Sequence, residues 1–349
     1  MGLSLRAGSI PAPGTTCDLQ QSNQAIGSVR QPKITQERGM PQLDSVISSQ
    51  QFDKPMIDTV FQVAGEMELE APPDLLIHKI MAALFYEPST RTRLSFEIAM
   101  AKLGGDIVGT ENAREFSSAA KGESLEDTIR TINQYGVDII VLRYNKEGGA
   151  ERAQRFSDAP VINAGDGPGQ HPTQALLDLY TIQKRFGTVD GLNIALVGDL
   201  TNGRTVRSLS YFLAKHYKVG RVYLVSPSQT RMRQDIKDYF NRYDLPWEET
   251  DRLDDILPEL DVLYQTRVQK ERFADEPKVY EEVMTAGERL NITAETSAGM
   301  KKESIIMHPL PRVAEISYVV DKDPRAIYFE QAQNGLFIRM ALLKLLLVS

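Results

Sequence analysis

The chain has 349 residues, of which 42% are hydrophobic and 25% charged, a composition that suits a globular protein with two domains. Its net charge of −7 argues against a nucleic-acid-binding protein, because no basic stripe offsets it. The single cysteine, Cys17, excludes an intrachain disulfide framework and a cysteine-based zinc site. The four histidines show no metal-ligand spacing, and no apolar run is long enough to span a bilayer. We therefore expect no metal, no membrane partner and no nucleic acid.

Residues 1–41 differ in composition from the rest of the chain. They are rich in Gly, Ser, Pro, Gln and Thr, they show no helical or strand period, and their acidic residues are only Asp18 and Glu37. This composition is typical of a transit segment or of a disordered leader. The lack of an amphipathic helix weighs against a mitochondrial destination. We expect a plastid protein if the segment is a transit remnant and a cytoplasmic one otherwise.

Strand and helix patterns alternate after this segment. The first elements predicted are a helix within Leu43–Leu69, a strand at Ile80–Phe85, a helix to Leu103, a strand near Asp106–Thr110, a helix around Leu125–Tyr135, strands at Val137–Leu142 and Pro160–Ile162, and a helix at Pro172–Phe186. In the helix that ends at Leu103, the residues Leu94, Ile98 and Ala101 recur at i, i+4 and i+7. We expect them to form its packed face.

A second series of elements begins after Gly187. Its predicted members are the strand Leu192–Val197, a helix with Leu209, Phe212 and Leu213 inward, the strands Val222–Val225, Val262–Tyr264 and Ile305–Met307, and a last helix at Gln331–Leu347. Such alternation predicts an α/β protein with two domains, each a parallel β-sheet flanked by helices. We place the first domain at 42–184 and the second at 185–326. The C-terminal helix, within 327–349, is expected to pack back on the first domain.

The turn after the strand Ile80–Phe85 carries the first functional signal. Ser89, Thr90, Arg91 and Thr92 lie where that strand leads into a helix, so unpaired backbone N–H groups and the helix dipole favour an anion there. The hydroxyl groups add donors, and guanidinium groups suit phosphate. A simple helix cap followed by solvated arginines is the alternative interpretation. Two hydroxyls interleaved with two arginines favour an anion site.

A second signal is the loop Gly165–Gln170 with the residues that follow it. Glycines permit close backbone approach to a ligand, and Pro172 suits the first position of a helix. His171 is then the N-cap and Gln174 lies in the first turn, at the carboxyl edge of the sheet where ligands of such folds bind. A histidine that merely caps its helix is the alternative.

These two stretches together resemble motifs of the aspartate and ornithine carbamoyltransferases. Phe85–Glu97 is similar to the family's carbamoyl-phosphate motif, and His171-Pro172-Thr173-Gln174 to its H-P-T-Q motif. The resemblance implies that Ser89, Thr90, Arg91 and Thr92 bind carbamoyl phosphate. It also implies that His171 donates to the carbamoyl oxygen and that Gln174 holds the amide. Arg143, at the end of a strand, corresponds to the family's second phosphate-binding arginine.

The polar loop 112–124 resembles the family's mobile loop, which enters the active site of the neighbouring subunit. Ser117 and Lys121 match the serine and lysine of that loop. Many relatives carry two adjacent lysines, whereas Ala120 stands in the first of those positions here. The form of residues 112–120 is most similar to the plant branch, in which UMP competes within the catalytic site. The resemblance therefore implies a homotrimer with shared sites and inhibition by UMP.

Two arginines follow strands of the second domain. Arg204 begins a helix and Arg267 ends a strand, and two forked cations suit a dicarboxylate. A G-x-G-x-x-G dinucleotide motif is absent, so we expect no nucleotide cofactor, and the resemblance likewise implies no cofactor. The family comparison assigns Arg204, Arg267, Gln269 and Lys121 to the amino-acid substrate.

The turn His308–Arg312 separates the two branches of this family. Ornithine enzymes carry a cysteine where this chain has Pro309, which favours L-aspartate as the acceptor. The carbonyl groups of Leu310 and Pro311 are expected to accept from the carbamoyl NH2. Ala314 departs from the family, which usually has an acidic or amide residue there, so the support of this loop in the closed state is uncertain.

The resemblance covers residues 43–348 and implies transfer of a carbamoyl group from carbamoyl phosphate to L-aspartate, a step of pyrimidine synthesis. Arg91, Thr92, His171 and Lys121 would be the catalytic residues. Three alternatives stay open: an ornithine carbamoyltransferase, an enzyme that carbamoylates another amino acid or an acetylated amine, and a non-catalytic anion-binding module.

Overall fold

The first sheet has four parallel strands in the order β2-β1-β3-β4. They are β1 (Ile80–Phe85), β2 (Asp106–Thr110), β3 (Ile139–Tyr144) and β4 (Val161–Asp166). This computed structural model describes residues 43–110, 122–268, 273 and 277–348, so the predicted leader lies outside it. Since the strand order changes direction between β1 and β3, a crevice is expected beyond the carboxyl ends of these two strands.

The second sheet has five parallel strands in the order β7-β6-β5-β8-β9. They are β5 (Asn193–Val197), β6 (Arg221–Val225), β7 (Trp247–Thr250), β8 (Val262–Gln265) and β9 (Ile305–Met307). Here the order changes direction between β5 and β8, which marks their carboxyl ends as the second crevice.

Helices flank both sheets. Those in the described residues are α1 (Lys54–Leu69), α2 (Thr90–Lys102), α3 (Leu125–Gln134), α4 (Gly149–Phe156), α5 (Pro172–Phe186), α6 (Arg204–His216), α7 (Gln234–Arg242), α8 (Pro277–Gly287), α9 (Ala294–Ala298) and α10 (Tyr328–Leu347). The predicted two-domain architecture of helix-flanked parallel sheets is therefore confirmed. Among the described residues, no helix is both long and apolar enough to cross a bilayer.

The predictions for β1, β2 and α5 match the structure to the residue. In β1 every residue from Met81 to Phe85 is buried, as expected for a parallel strand covered on both faces. α5 is buried almost continuously from Pro172 to Ile182, and Gly187 ends it in the left-handed conformation. These elements were predictable because an uninterrupted apolar run and a Pro–Gly pair of helix boundaries leave few local alternatives.

The predicted packed face of α2 was wrong. Leu94 and Ile98 are 45% and 46% exposed, whereas Phe96, Ala99 and Met100 on the other side are fully buried. Both faces of this helix carry apolar residues, so periodicity alone could not select between them. Packing of α2 against α10 and the first sheet decides the matter.

Other differences lie at element boundaries and in weakly patterned segments. Strand β3 begins two residues later than predicted, because Asp138 turns its carboxylate to Lys79 Nζ and the Ile80 backbone N–H at 2.9 Å each. Helix α4 was missed; its N-cap Gly148 has φ 79°, and glycine is a poor helix signal. Helices α7, α8 and α9 and strand β7 were also missed.

The last helix, which was expected to pack on the first domain, contacts elements of both series. α10 packs against α1, α2 and α5 beside the first sheet, and it also contacts β9 of the second. α5 packs against α6, and one hydrophobic cluster contains buried residues of both sheets, including Val141 and Leu196. The predicted boundary at residue 184 falls inside α5, and the division at that residue stays a prediction.

Candidate active site

The turn between β1 and α2 presents hydroxyl and guanidinium groups at the edge of the first sheet. Ser89 is the N-cap of α2, but its side chain makes no capping hydrogen bond. Thr92 is buried at 7% exposure, while Arg91 is exposed. Desolvation of the Arg91 guanidinium and, next in size, the charge of Arg267 lower the pKa of Arg91. Arg91 of the first sheet's turn and Arg267 after β8 therefore face a common space.

His171 lies beside this turn at the start of α5. Its ring Nε2 is 3.4 Å from Thr92 Oγ1, and its Nδ1 is 3.4 Å from Thr173 Oγ1. The His171 backbone N–H donates to Ser208 Oγ of α6 at 2.8 Å. The residue is the helix N-cap, as predicted, but its side chain makes no capping hydrogen bond. The alternative in which the ring merely caps its helix therefore fails.

The electrostatic surroundings keep His171 neutral. Desolvation is the main cause that lowers its pKa well below the usual value, and the charges of Arg204, Arg143 and Arg339 act in the same direction. A neutral imidazole donates from one ring nitrogen only. The ring is thus suited to donate a hydrogen bond to a substrate oxygen rather than to provide a cation.

Glu87 connects the edges of the two sheets. Its Oε2 is 3.6 Å from Arg143 Nε of β3 and 3.3 Å from Arg204 Nη1 of α6. Arg204 Nη1 also donates to the Gly167 carbonyl at 3.0 Å, and Arg143 Nη1 donates to the Ala164 carbonyl at 3.4 Å. Both guanidinium groups are largely buried. Two cations and one carboxylate leave net positive charge in this cleft.

A glycine brings the ends of β5 and β8 together. Gly198 has φ 112°, and a Cβ added there would lie 2.3 Å from the Thr266 carbonyl oxygen. Only glycine fits this close approach. It keeps the β5 turn, which leads to Arg204, next to the residues that follow β8, which include Arg267.

A buried polar network lies behind the cleft. Gln174 Nε2 donates to Asp178 Oδ1 at 2.9 Å, and Gln331 Nε2 donates to the same oxygen at 2.7 Å. Tyr264 donates its hydroxyl to Asp178 Oδ2 at 2.7 Å. Asp178 is fully buried. The three donors belong to α5, α10 and β8, so the network joins the two series of elements.

The same network reaches the turn that contains Leu310 and Pro311. The His308 backbone N–H donates to Gln331 Oε1 at 2.9 Å, and Leu310 N donates to His308 Nδ1 at 2.7 Å. Since Nδ1 is an acceptor, the proton of the ring is on Nε2, which donates to Glu315 Oε1 at 2.8 Å. This histidine is therefore the centre that holds the turn.

Glu315 also supports the turn near Ala314, the residue at which this chain differs from the family motif. Its Oε2 accepts the backbone N–H groups of Val313 and Ala314 at 3.0 Å each. The Ala314 side chain takes no part in these bonds. The backbone of this segment is thus held by the neighbouring glutamate.

The structure connects several of the predicted residues. Thr92 lies beside His171, Arg143 and Arg204 share Glu87, and the charge of Arg267 acts on Arg91. Gln174 is linked through Asp178, Gln331 and His308 to the turn of Leu310 and Pro311, and Ser89 and Thr90 lie at the turn that contains Arg91 and Thr92. Ser117, Lys121 and Gln269 lie outside the described residues. Among the residues that are described, no cluster of three or more His, Cys, Asp or Glu side chains could hold a metal ion.

The sequence reasoning assigned no role to Glu87, Asp178 or Ser208. Glu87 stands inside the motif used to identify the first turn, and Asp178 follows Gln174 by four positions, a spacing that allows a hydrogen bond along a helix. Those two signals were available in the sequence. No local pattern pointed to Ser208, whose partner lies 37 positions away.

Two family models match the chain. The model described as "Aspartate/ornithine carbamoyltransferase, carbamoyl-P binding domain" matches residues 44–184. The model described as "Aspartate/ornithine carbamoyltransferase, Asp/Orn binding domain" matches residues 190–346. Together they span most of the described chain.

Individual proteins give the same result. The chloroplastic aspartate carbamoyltransferase of Arabidopsis thaliana is 55% identical over 319 residues, which cover 90% of this chain and 80% of that protein. The aspartate carbamoyltransferase catalytic subunit of Methanocaldococcus jannaschii is 49% identical, covering 86% of this chain and 97% of that one. The crystal structure of Trypanosoma cruzi aspartate transcarbamoylase with carbamoyl phosphate and aspartate superposes with a TM-score of 0.83 at 39% identity, covering 89% and 100% of the two chains.

Proposed function

The chain belongs to the aspartate/ornithine carbamoyltransferase family, and from this premise we propose that it transfers the carbamoyl group of carbamoyl phosphate to the amine of L-aspartate. The observation that carries the proposal is the contact of Glu87 with both Arg143 and Arg204. It joins the carboxyl edges of both sheets in one positively charged cleft. A cleft with cations from two sheets suits a reaction between two anions, which repel each other in water.

The first anion would bind at the turn between β1 and α2. Ser89, Thr90 and Thr92 would donate hydroxyl or backbone hydrogen bonds to the phosphate of carbamoyl phosphate, at the N-terminus of α2. Arg91 and Arg143 would add charge-assisted bonds from opposite sides of this switch point. Ser89 supports this role because its hydroxyl is not used to cap the helix.

The carbonyl oxygen of the donor would lie near His171. As the amine attacks, that oxygen gains negative charge, and preorganised donors stabilise it in a site that excludes water. The neutral His171 ring and Thr92 can reach one position, since Thr92 Oγ1 and His171 Nε2 are 3.4 Å apart, and Arg91 of the same turn would donate there as well. Loss of one such donor typically costs on the order of 10²–10³ in rate. The departing phosphate accepts the amine proton, so no side chain need act as the base.

The carbamoyl NH2 and the attacking amine would donate to three acceptors. They are the Gln174 side-chain oxygen and the carbonyl oxygens of Leu310 and Pro311. The hydrogen bonds of His308 hold the turn that contains Leu310 and Pro311 in place.

Aspartate would bind to the cations of the second sheet. Arg267 and Arg204 would each take a carboxylate, together with Gln269 and with Lys121 from a neighbouring subunit. Arg204 forms an ion pair with the carboxylate of Glu87 in the structure. This contact supports a role for its guanidinium group in carboxylate binding. We also propose that residues 42–184, with helix 327–349, form the carbamoyl-phosphate domain and that residues 185–326 form the aspartate domain.

Purified protein tests this proposal directly. Carbamoyl phosphate is supplied with aspartate, ornithine or no amine, and carbamoylated product and phosphate are measured. We expect carbamoylated product when the amine is aspartate and none with ornithine or without an amine. The Arg91→Ala variant should form no product, whereas Arg130→Ala, which removes an exposed arginine of α3, should form product as the unmodified protein does. Product from ornithine, or from neither amine, contradicts the proposal.

Three further properties belong to this proposal. We propose a homotrimer in which the loop with Ser117 and Lys121 completes the neighbouring site, a head-to-tail interface that cyclic symmetry provides. We propose that UMP competes with carbamoyl phosphate, because the Ser89–Thr92 turn suits either phosphate. Finally, we propose a plastid location and a place in pyrimidine synthesis, supported by the chloroplastic plant relatives. The mass of the native protein's N-terminus tests the location.

A further inference from the structure

Asp178 is a buried carboxylate that none of the proposed substrate contacts uses. It is fully buried, and its two oxygens accept three side-chain hydrogen bonds, from Gln174, Gln331 and Tyr264, at 2.7–2.9 Å. A buried charge is costly unless it is hydrogen-bonded, so such a group needs a reason to be there. Its partners lie directly behind the position proposed for the carbamoyl NH2.

An ionised carboxylate has only acceptors, and this property dictates how its partners turn. Gln174 must point its NH2 group at Asp178, which leaves its Oε1 as the atom available to a ligand. Gln331 must do the same, and its Oε1 then accepts the His308 backbone N–H at 2.9 Å. His308 in turn accepts from Leu310 N. One carboxylate thus orients a side-chain amide and, through Gln331, a backbone turn.

Burial raises the pKa of Asp178 to about 7, while the hydrogen bonds from Tyr264, Gln331 and Gln174 and the charge of Arg339 favour the ionised form. Arg339 is itself buried and lies on α10. The three donors are those expected around an ionised carboxylate.

We propose that Asp178 is a positioning residue that makes the site select a carbamoyl donor over an acetyl donor. It does so by holding acceptor atoms, Gln174 Oε1 and the carbonyls of Leu310 and Pro311, toward the donor's NH2. An acetyl group has a methyl at that position and leaves these acceptors unpaired, including that of the buried Gln174. Sites built to bond an NH or OH reject analogues that lack it far more strongly than apolar pockets reject a small difference. The inference rests on the proposed function, because it assumes that carbamoyl phosphate binds at this cleft.

Asp178→Leu tests the inference. Leucine has a similar shape but no acceptor, so the NH2 groups of Gln174 and Gln331 both lose their partner and the two side chains are no longer oriented. Dissociation constants of carbamoyl phosphate, acetyl phosphate and inorganic phosphate are measured by equilibrium competition, together with kcat and KM for carbamoyl transfer. We expect the preference for carbamoyl over acetyl phosphate to fall at least tenfold, and the affinity for inorganic phosphate to change less than threefold.

Two variants separate positioning from a loss of stability. Tyr264→Phe removes one bond to Asp178 Oδ2 but not the glutamine contacts, so it should lower the melting temperature and keep the preference. Asp138→Asn changes a partly buried aspartate at the amino end of the first sheet and should leave the preference unaltered. A preference in folded Asp178→Leu equal to that of the unmodified protein overturns the inference.

If Asp178→Leu does not fold, Gln331→Leu carries the test. It breaks the link to His308 and keeps the Gln174 contact, so the preference should fall at least threefold; an unchanged preference overturns the inference. Failure of the proposed function is recognised separately, because the unmodified protein would then show no preference between the two acyl phosphates and no carbamoyl transfer.

Discussion

Replacement of Arg267 by alanine would separate the two halves of the proposed site. Arg267 follows β8, whereas the phosphate turn follows β1, and the charge of Arg267 acts on Arg91 of that turn. If Arg267 binds a carboxylate of aspartate, the loss of this arginine should weaken the binding of aspartate and leave the binding of carbamoyl phosphate nearly unaffected.

The expected size follows from the contacts involved. A hydrogen bond to a charged group is worth about 1.5–3 kcal/mol, which corresponds to roughly a 10- to 150-fold loss in kcat/KM for aspartate. Part of this loss is offset, because the variant removes the repulsion that lowers the pKa of Arg91. Carbamoyl phosphate loses no proposed direct bond in the variant, only a nearby charge: a unit charge and a dianion about 10 Å apart in water interact by about 0.8 kcal/mol, so its affinity should change by about fourfold at most.

Initial rates at varied aspartate, with carbamoyl phosphate saturating, give the first quantity, and direct binding of carbamoyl phosphate gives the second. Arg289→Ala is the matched control, since it removes an exposed arginine paired with Asp251 outside the cleft. Equal damage to both substrates by Arg267→Ala would refute the assignment of the two substrates to different sheets.

Three other outcomes are expected. UMP should raise the apparent KM for carbamoyl phosphate without a change in Vmax, and an unaltered KM at saturating UMP would exclude competition at the Ser89–Thr92 turn. Arg91→Ala and Lys121→Ala trimers should each be nearly inactive. When the two variants are unfolded together and reassembled, about one quarter of the activity should return, because random mixing places an intact Arg91 beside an intact Lys121 at that fraction of interfaces. Mixed trimers without activity would place both residues in the site of one chain. Desolvation lowers the pKa of His216 to about 4, so this residue binds fewer protons in the folded than in the unfolded protein. Its contribution should therefore make the free energy of unfolding fall by about 1–2 kcal/mol between pH 7.5 and pH 5. Urea unfolding of His216→Gln should lose that part of the pH dependence, and an identical pH dependence would contradict it.

The strongly patterned elements and the chemistry of the turns that follow them could be predicted from the sequence. A fully apolar run specified β1, and Pro172 with Gly187 specified both ends of α5. Hydroxyl and guanidinium groups in Ser89–Thr92 indicated an anion site. These properties depend on neighbours within a few positions, so a single sequence is enough to predict them. The preference for aspartate, in contrast, was inferred from the family resemblance, through Pro309 in place of cysteine.

Only the tertiary structure decided which side chains meet across the fold. Both faces of α2 are apolar, and packing against α10 buried Phe96 while it left Leu94 exposed. Gln331 reaches Asp178 across 153 positions, and Tyr264 reaches it across 86. The sequence near a hydrogen-bonding group does not indicate which distant residue will be its partner. Which donor satisfies a buried carboxylate is set by the crossover connections that bring α5, α10 and β8 together, because a buried charge must find its donors among whatever the fold places beside it.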